Sequence, residues 1–148
     1  MTHKLKLVEP YERLGLRELS ASAERVEFEI PLSGNRNDKG TAFGGSYYSA
    51  MILAGWRLCE ETASELGLSG DIVVKDSHVD FLRPGTSDST AVATHLKAPA
   101  GTRHGNLAFD VTATTLDAEG TLCARMHASF RLLAASRPAS ESQGPETV

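Results

Sequence analysis

The chain has 148 residues, 41% of them hydrophobic and 23% charged, with a formal net charge of −4 and a pI near 5.7. That is the ordinary length of one domain, with enough apolar residues for a packed core, so general disorder is excluded. A nucleic-acid binder carries a basic stripe, and this acidic chain has none.

The opening Met1-Thr2-His3-Lys4-Leu5-Lys6 lacks the apolar run of a signal peptide. No stretch is apolar for long enough to span a membrane. A cytoplasmic protein with neither nucleic-acid nor membrane partners is expected. Cys59 and Cys123 stand far apart outside any Cys-x-x-Cys pattern, and read as two buried, reduced thiols. The five histidines have no regular ligand spacing, so no metal is expected.

In chain order, Glu9 to Leu14 reads as a short helix that lays Tyr11 and Leu14 on a larger body. Val26, Phe28, Ile30 and Leu32 then alternate with Glu27 and Glu29, which predicts a strand with one buried face. Pro31 places that strand at a sheet edge or marks its end. A polar loop, Ser33 to Gly40, leads through Thr41-Ala42-Phe43-Gly44-Gly45 into a predicted helix from Ser46 to Leu66, with Gly67 as its left-handed cap. Ser46 to Trp56 holds no charge, which predicts a helix buried on every side at its start. Arg57, Glu60, Glu61 and Glu65 in the second half predict that it emerges toward water.

Strands are predicted from Ile72 to Leu82, Ser89 to Leu96, Ala108 to Leu116, and Leu122 to Leu132, the last two joined by the turn Asp117-Ala118-Glu119-Gly120. One long buried helix and a run of antiparallel strands satisfy each other when the sheet wraps around the helix, the α+β architecture called a hotdog. The domain is placed at residues 1–134. From Ala135 to Val148 the composition turns to Ser, Pro, Gly, Gln and Glu, and a disordered tail is expected.

The string Asn37-Asp38-Lys39-Gly40-Thr41-Ala42-Phe43-Gly44-Gly45-Ser46, followed by Leu53-Ala54-Gly55-Trp56, resembles the signature of a bacterial hotdog thioesterase family. Its members occur alone or fused behind an acetyltransferase domain, and include malonyl-decarboxylase-type enzymes. Asp76-Ser77-His78 with Phe81-Leu82-Arg83-Pro84 also resembles that family's strand after the helix, so the likeness spans about Val26 to Leu133. The resemblance implies an enzyme acting on acyl thioesters of coenzyme A or acyl carrier protein, in fatty-acid metabolism. It implies no cofactor beyond the one the substrate carries, and a homodimer or dimer of dimers.

Glycines at a helix N-terminus let a ligand approach backbone amides that have no partner inside the helix and sit at its positive end. Gly44 and Gly45 are therefore candidates to polarise a thioester carbonyl, with a side-chain N–H from Asn37 on the same oxygen. A glycine-rich turn with Asn37 as its local cap accounts for the same residues. Many hotdog thioesterases carry His before the glycine pair and an Asp or Glu two turns into the helix. Here those positions are Phe43 and Ile52, which transfer no proton. Ser49 lies one turn before Ile52 without an evident activator, and reads more readily as a serine bonded to its own helix backbone. Asp38 and Asp76 are candidate substitute acids. Asp76, His78 and Asp80 share one strand face, as do Arg125, His127 and Arg131, either toward substrate or as a solvated or subunit-contact surface. Lys97, Arg103 and His104 bracket a strand connection and are candidates for the phosphates of coenzyme A or phosphopantetheine.

Hydrolysis, decarboxylation of a malonyl thioester to the acetyl thioester used in fatty-acid synthesis, and acyl-thioester binding without turnover are the three readings. Hydrolysis needs an activated water, and the usual carboxylate is missing. Decarboxylation needs only an oxyanion hole for the enolate.

Overall fold

Residues 3–133 are described by the structure, a computed structural model. Two short helices, α1 (His3–Leu7) and α2 (Glu9–Arg13), precede strands β1 (Arg17–Ala21) and β2 (Arg25–Ile30). The long helix α3 (Gly44–Glu65) follows, then β3 (Ile72–Phe81), β4 (Ser89–Gly101), β5 (Leu107–Asp117) and β6 (Leu122–Leu132). All strands pair antiparallel in one sheet, ordered β1-β2-β4-β5-β6-β3. The expected tail from residue 135 lies outside the described residues.

The period-two patterns bury the side chains expected of them. Val26, Phe28 and Ile30 of β2, Ala91 and Ala93 of β4, and Phe109, Val111 and Ala113 of β5 all face α3. Ala124, Met126, Ala128, Phe130 and Leu132 do the same from β6. Helix and sheet approach closely at Gly55, where a Cβ would stand 3.0 Å from the Phe130 ring and 3.3 Å from Val111. A mid-helix glycine is costly by propensity, and close packing on the sheet is what it provides here. Gly67, at φ +73°, ends α3, with Leu68 N–H donating to Ala63 O at 2.8 Å.

Several sequence expectations need correction. Pro31 ends β2 and does not mark an edge, because β1 pairs outside it. Neither α1 nor β1 is legible in the sequence. Arg17-Glu18-Leu19-Ser20-Ala21 has no apolar alternation, and its strand is held by pairing with β2.

α3 is open at its start, where Gly45 and Tyr48 are exposed and Ser49 and Ile52 half-buried. Those four follow i, i+3, i+4, i+7 and form one helix face. Its charged second half is less exposed than expected: Arg57 is buried, with Nε donating to Glu18 Oε1 at 2.8 Å and Nη1 3.1 Å from Glu61 Oε2. A buried guanidinium requires such partners, and Glu18 lies on the strand the sequence did not reveal. Cys59 and Cys123 are free and buried, and burial pushes the Cys59 thiol up.

Candidate functional site

The loop before α3 is set by backbone ties and one asparagine. Ala42 N–H donates to Gly85 O at 2.8 Å, and Phe43 N–H to Asn35 O at 2.8 Å. Asn35 is buried, and its Nδ2 donates to Leu14 O and Pro31 O, both at 2.8 Å. It therefore joins the end of α2, the end of β2 and the start of α3. Nothing in the sequence distinguishes Asn35 from any other polar loop residue.

Phe43 is the N-cap residue of α3 and offers no side-chain cap; its carbonyl accepts from Ser46 N–H at 3.0 Å and Tyr47 N–H at 3.3 Å. Among the described residues, the amides of Gly44 and Gly45 find no acceptor. Aromatic rings crowd both glycines. A Cβ on Gly44 would stand 3.1 Å from the Phe81 ring, and one on Gly45 would stand 2.5 Å from the Phe43 ring. Donors without partners at the positive end of a 22-residue helix present partial positive charge to whatever sits there.

Gly44 opens on a hollow of about 360 Å³ walled by Asn37, Thr41, Tyr47 and the segment from Phe81 to Gly85. Lys39 and Arg83 stand at it, and none of its lining residues is a carboxylate. Asn37 lines this hollow and also staples its own loop. Its Oδ1 accepts from Lys39 N–H at 2.9 Å and Thr41 N–H at 3.1 Å, while Nδ2 donates to Thr41 Oγ1 at 2.9 Å and more weakly to Ala42 O at 3.5 Å. The two sequence readings of Asn37 thus meet in one residue: the local cap is made, and the side chain still borders the hollow.

Tyr47 forms the floor. Its hydroxyl is 2.6 Å from Ser89 Oγ, and burial lifts its pKa to about 12, so it remains neutral. Sequence reasoning passed over it, because a tyrosine in an uncharged helix reads as core.

Around the helix from Gly44, the face of Gly45 continues into a second hollow of about 280 Å³ formed by Pro10, Tyr48, Ser49, Ile52 and Leu53. Phe43 directly precedes the glycine pair, and Ile52 lies two turns beyond Gly45 on the same helix face. The Ser49 hydroxyl meets no acid or base among the residues lining this hollow. Tyr48 reaches across to β3, where its hydroxyl is hydrogen-bonded to Ser77 Oγ.

The remaining candidates lie elsewhere in the chain. Asp76 and His78 point to the outer face of the sheet, because Ser77 between them points to Tyr48. There His78 Nε2 lies 3.1 Å from Asp80 Oδ1, and His78 is paired with His127 of β6. Lys97 is also on this outer surface, 3.3 Å from Asp110. Asp38 is exposed and paired with Lys39 at 3.0 Å.

Arg103 and His104 sit at the tip of the β4–β5 hairpin. Ser89, which starts β4, meets Tyr47 near the beginning of α3, while His95, farther along β4, meets Thr62 near its end. The hairpin tip therefore lies toward the C-terminal end of α3, where Thr62 is already roughly 27 Å from Gly44 by helix rise. Within one chain these residues do not join the site, because the sequence does not reveal which end of the helix a hairpin reaches.

An antiparallel sheet wrapped around one helix, with Gly44 at the start of that helix open to an acid-free hollow, defines a hotdog domain of the thioesterase-like class. Residues 11–140 match the family described as "Putative thioesterase (yiiD_Cterm)", and the chain belongs to that family. Among solved structures it resembles a "putative thioesterase" from Shewanella oneidensis at 25% identity and a TM-score of 0.76, over 87% of this chain and 90% of that one. It also superposes on a thioesterase from Haemophilus influenzae at 17% identity and a TM-score of 0.74, over 92% and 90% of the two chains. A thioesterase family protein from Silicibacter pomeroyi matches at 18% and 0.71, over 88% and 94%. The last two likenesses are of fold alone. No helix among the described residues is long and apolar enough to cross a membrane.

Proposed function

We propose that this chain binds an acyl thioester of coenzyme A or acyl carrier protein with its carbonyl against the Gly44 and Gly45 amides, and acts on it there. The observation that carries the reading is the pair of unpartnered amides at the start of α3, where Gly44 opens onto a hollow lined by no carboxylate. Donors fixed in advance stabilise the oxyanion that develops when a thioester reacts, and one such donor is worth roughly 10²–10³ in rate. The acyl group then lies along Tyr48, Ser49 and Ile52. Asn37 adds a third donor by releasing its longer bond to Ala42 O. A second copy of the chain completes the walls, and the protein works as a homodimer.

One observation favours a second reading, loss of CO₂ from a malonyl thioester. The helix face from Gly45 to Ile52 carries no carboxylate or imidazole to activate water. Decarboxylation needs none: the C–C bond to the carboxylate breaks, its electron pair enters the thioester enolate, CO₂ leaves, and a proton from water converts the enolate to the acetyl thioester. An oxyanion hole beside an apolar wall suits that chemistry.

Incubating the full chain with acyl- and malonyl-thioesters of both carriers, followed by mass spectrometry, tests the proposal. Free acid with free thiol means hydrolysis. Acetyl thioester means decarboxylation. Saturable binding without product means a non-catalytic acyl-thioester module, and neither binding nor turnover overturns the proposal.

A further inference from the structure

The far half of α3 borders another hollow, which shares no lining residue with the two beside the glycine pair. It measures about 360 Å³ and lies between α3, Lys4 of α1 and the segment that leads from Leu68 into β3. Small-molecule sites fall between about 300 and 1,000 Å³, whereas one water takes only about 30 Å³. Glu60, on its wall, stands roughly 24 Å from Gly44 by helix rise.

Two buried polar atoms at this hollow lack partners. Arg57 and Glu60 are three residues apart on α3, hence neighbours on one helix face. Arg57 Nε donates to Glu18, but its Nη1, 3.1 Å from Glu61 Oε2, lies off the line of a hydrogen bond. Glu60 Oε2 has Lys4 Nζ at 3.6 Å, while its Oε1 finds no hydrogen bond among the described residues. Both Nη1 and Oε1 are shielded from bulk water. A buried polar atom left without a partner is costly, more so when it belongs to a charged group. One atom therefore needs an acceptor and the other a donor, within one turn of helix.

Charge narrows what can supply them. Lys4 and Arg57 repel a bare cation, and Glu60 and Glu61 repel a bare anion. An apolar molecule would leave both atoms unpaired. A neutral amide can bond to both but balances neither charge. An ammonium and a carboxylate carried on the same carbon do both things at once. Leu68, Ile72 and Leu132 add an apolar wall for the remainder of such a molecule.

We propose that this hollow binds a free α-amino acid with an aliphatic side chain, its carboxylate toward Arg57 Nη1 and Lys4 and its ammonium on Glu60 Oε1. The ligand joins α1, α3 and the start of β3, and its site is distinct from the thioester site at Gly44.

Isothermal titration calorimetry on the full chain with L-leucine and L-valine tests the assignment. At least one should bind saturably at millimolar concentration or below, and raise the melting temperature as any ligand of the native state does. Isocaproate lacks the ammonium of leucine, isopentylamine lacks its carboxylate, and isocaproamide carries neither charge. Each should bind about tenfold or more weakly than leucine, the worth of a hydrogen bond to a charged group. Glu60→Gln should weaken leucine by a similar factor, with melting temperature checking that the variant folds. The analogue series needs no variant and decides the question on the unaltered protein. Absence of saturable binding by both amino acids overturns the site. Analogues that bind as tightly as leucine, or a leucine Kd that folded Glu60→Gln leaves unchanged, overturn the zwitterion. The titration contains no thioester, so failure of the proposed activity leaves its result standing.

Discussion

The phenol of Tyr47 passes directly over Gly85: a Cβ built on that glycine would lie 1.9 Å from the Tyr47 hydroxyl and 2.8 Å from its ring. Gly85 O also accepts the Ala42 N–H, so one residue holds the floor and the rim of the Gly44 hollow together. Gly85→Ala should displace Tyr47 and break its bond to Ser89, costing about 1–3 kcal/mol of stability as overpacked sites do. Tyr47→Phe in the same chain should recover part of that loss, because the nearest clashing atom is gone. Thermal unfolding of the two single variants and the double variant checks the coupling, and strictly additive effects would refute it.

Asn37→Asp separates the two roles of that side chain. The carboxylate keeps an acceptor for Lys39 N–H and Thr41 N–H but has no proton to give a substrate oxygen. The melting temperature should therefore change little while turnover falls by about 10²-fold or more. Asn37→Ala should lose both, with roughly 1 kcal/mol of stability lost along with the loop cap. Normal turnover in Asn37→Asp would leave the asparagine as a loop staple only.

Ile52→Asp distinguishes the two chemistries. It places a carboxylate on the helix face that runs from Gly45. A malonyl decarboxylase should lose activity sharply, because the new charge repels the substrate carboxylate, and it should gain some hydrolysis. A hydrolase whose base lies elsewhere should be little affected or improved. The ratio of acetyl thioester to free thiol formed from malonyl thioester decides between them.

Glu60 lies at the other end of α3 beside Lys4, 3.6 Å away, and burial raises its pKa against the opposing pull of Lys4 and Arg57. A carboxyl whose folded pKa is raised contributes stability that is fully present below its unfolded value and is lost as pH rises through the folded one. Glu60→Gln should therefore raise the melting temperature at neutral pH relative to wild type, and the advantage should disappear at a pH below the ordinary glutamate range. Thermal unfolding at the two pH values reads this, and an advantage equal at both would count against it.

The sequence by itself determined the strands whose side chains alternate, the long helix with its Gly67 stop, and the glycine pair at the helix start. Each of these is a local preference or a period imposed by one buried face, so it survives without knowing the neighbours. Only the tertiary structure decided what depends on residues distant in the chain. It revealed β1, a polar stretch held by pairing with β2 and tied to Arg57 through Glu18. It turned Asp76 and His78 away from the helix and carried Arg103 and His104 to its far end. It made Asn35 a joint between three segments, and left one side of an uncharged helix start uncovered. Periodicity reports that a face is apolar, but whether protein, ligand or a second copy covers that face depends on where the rest of the chain goes.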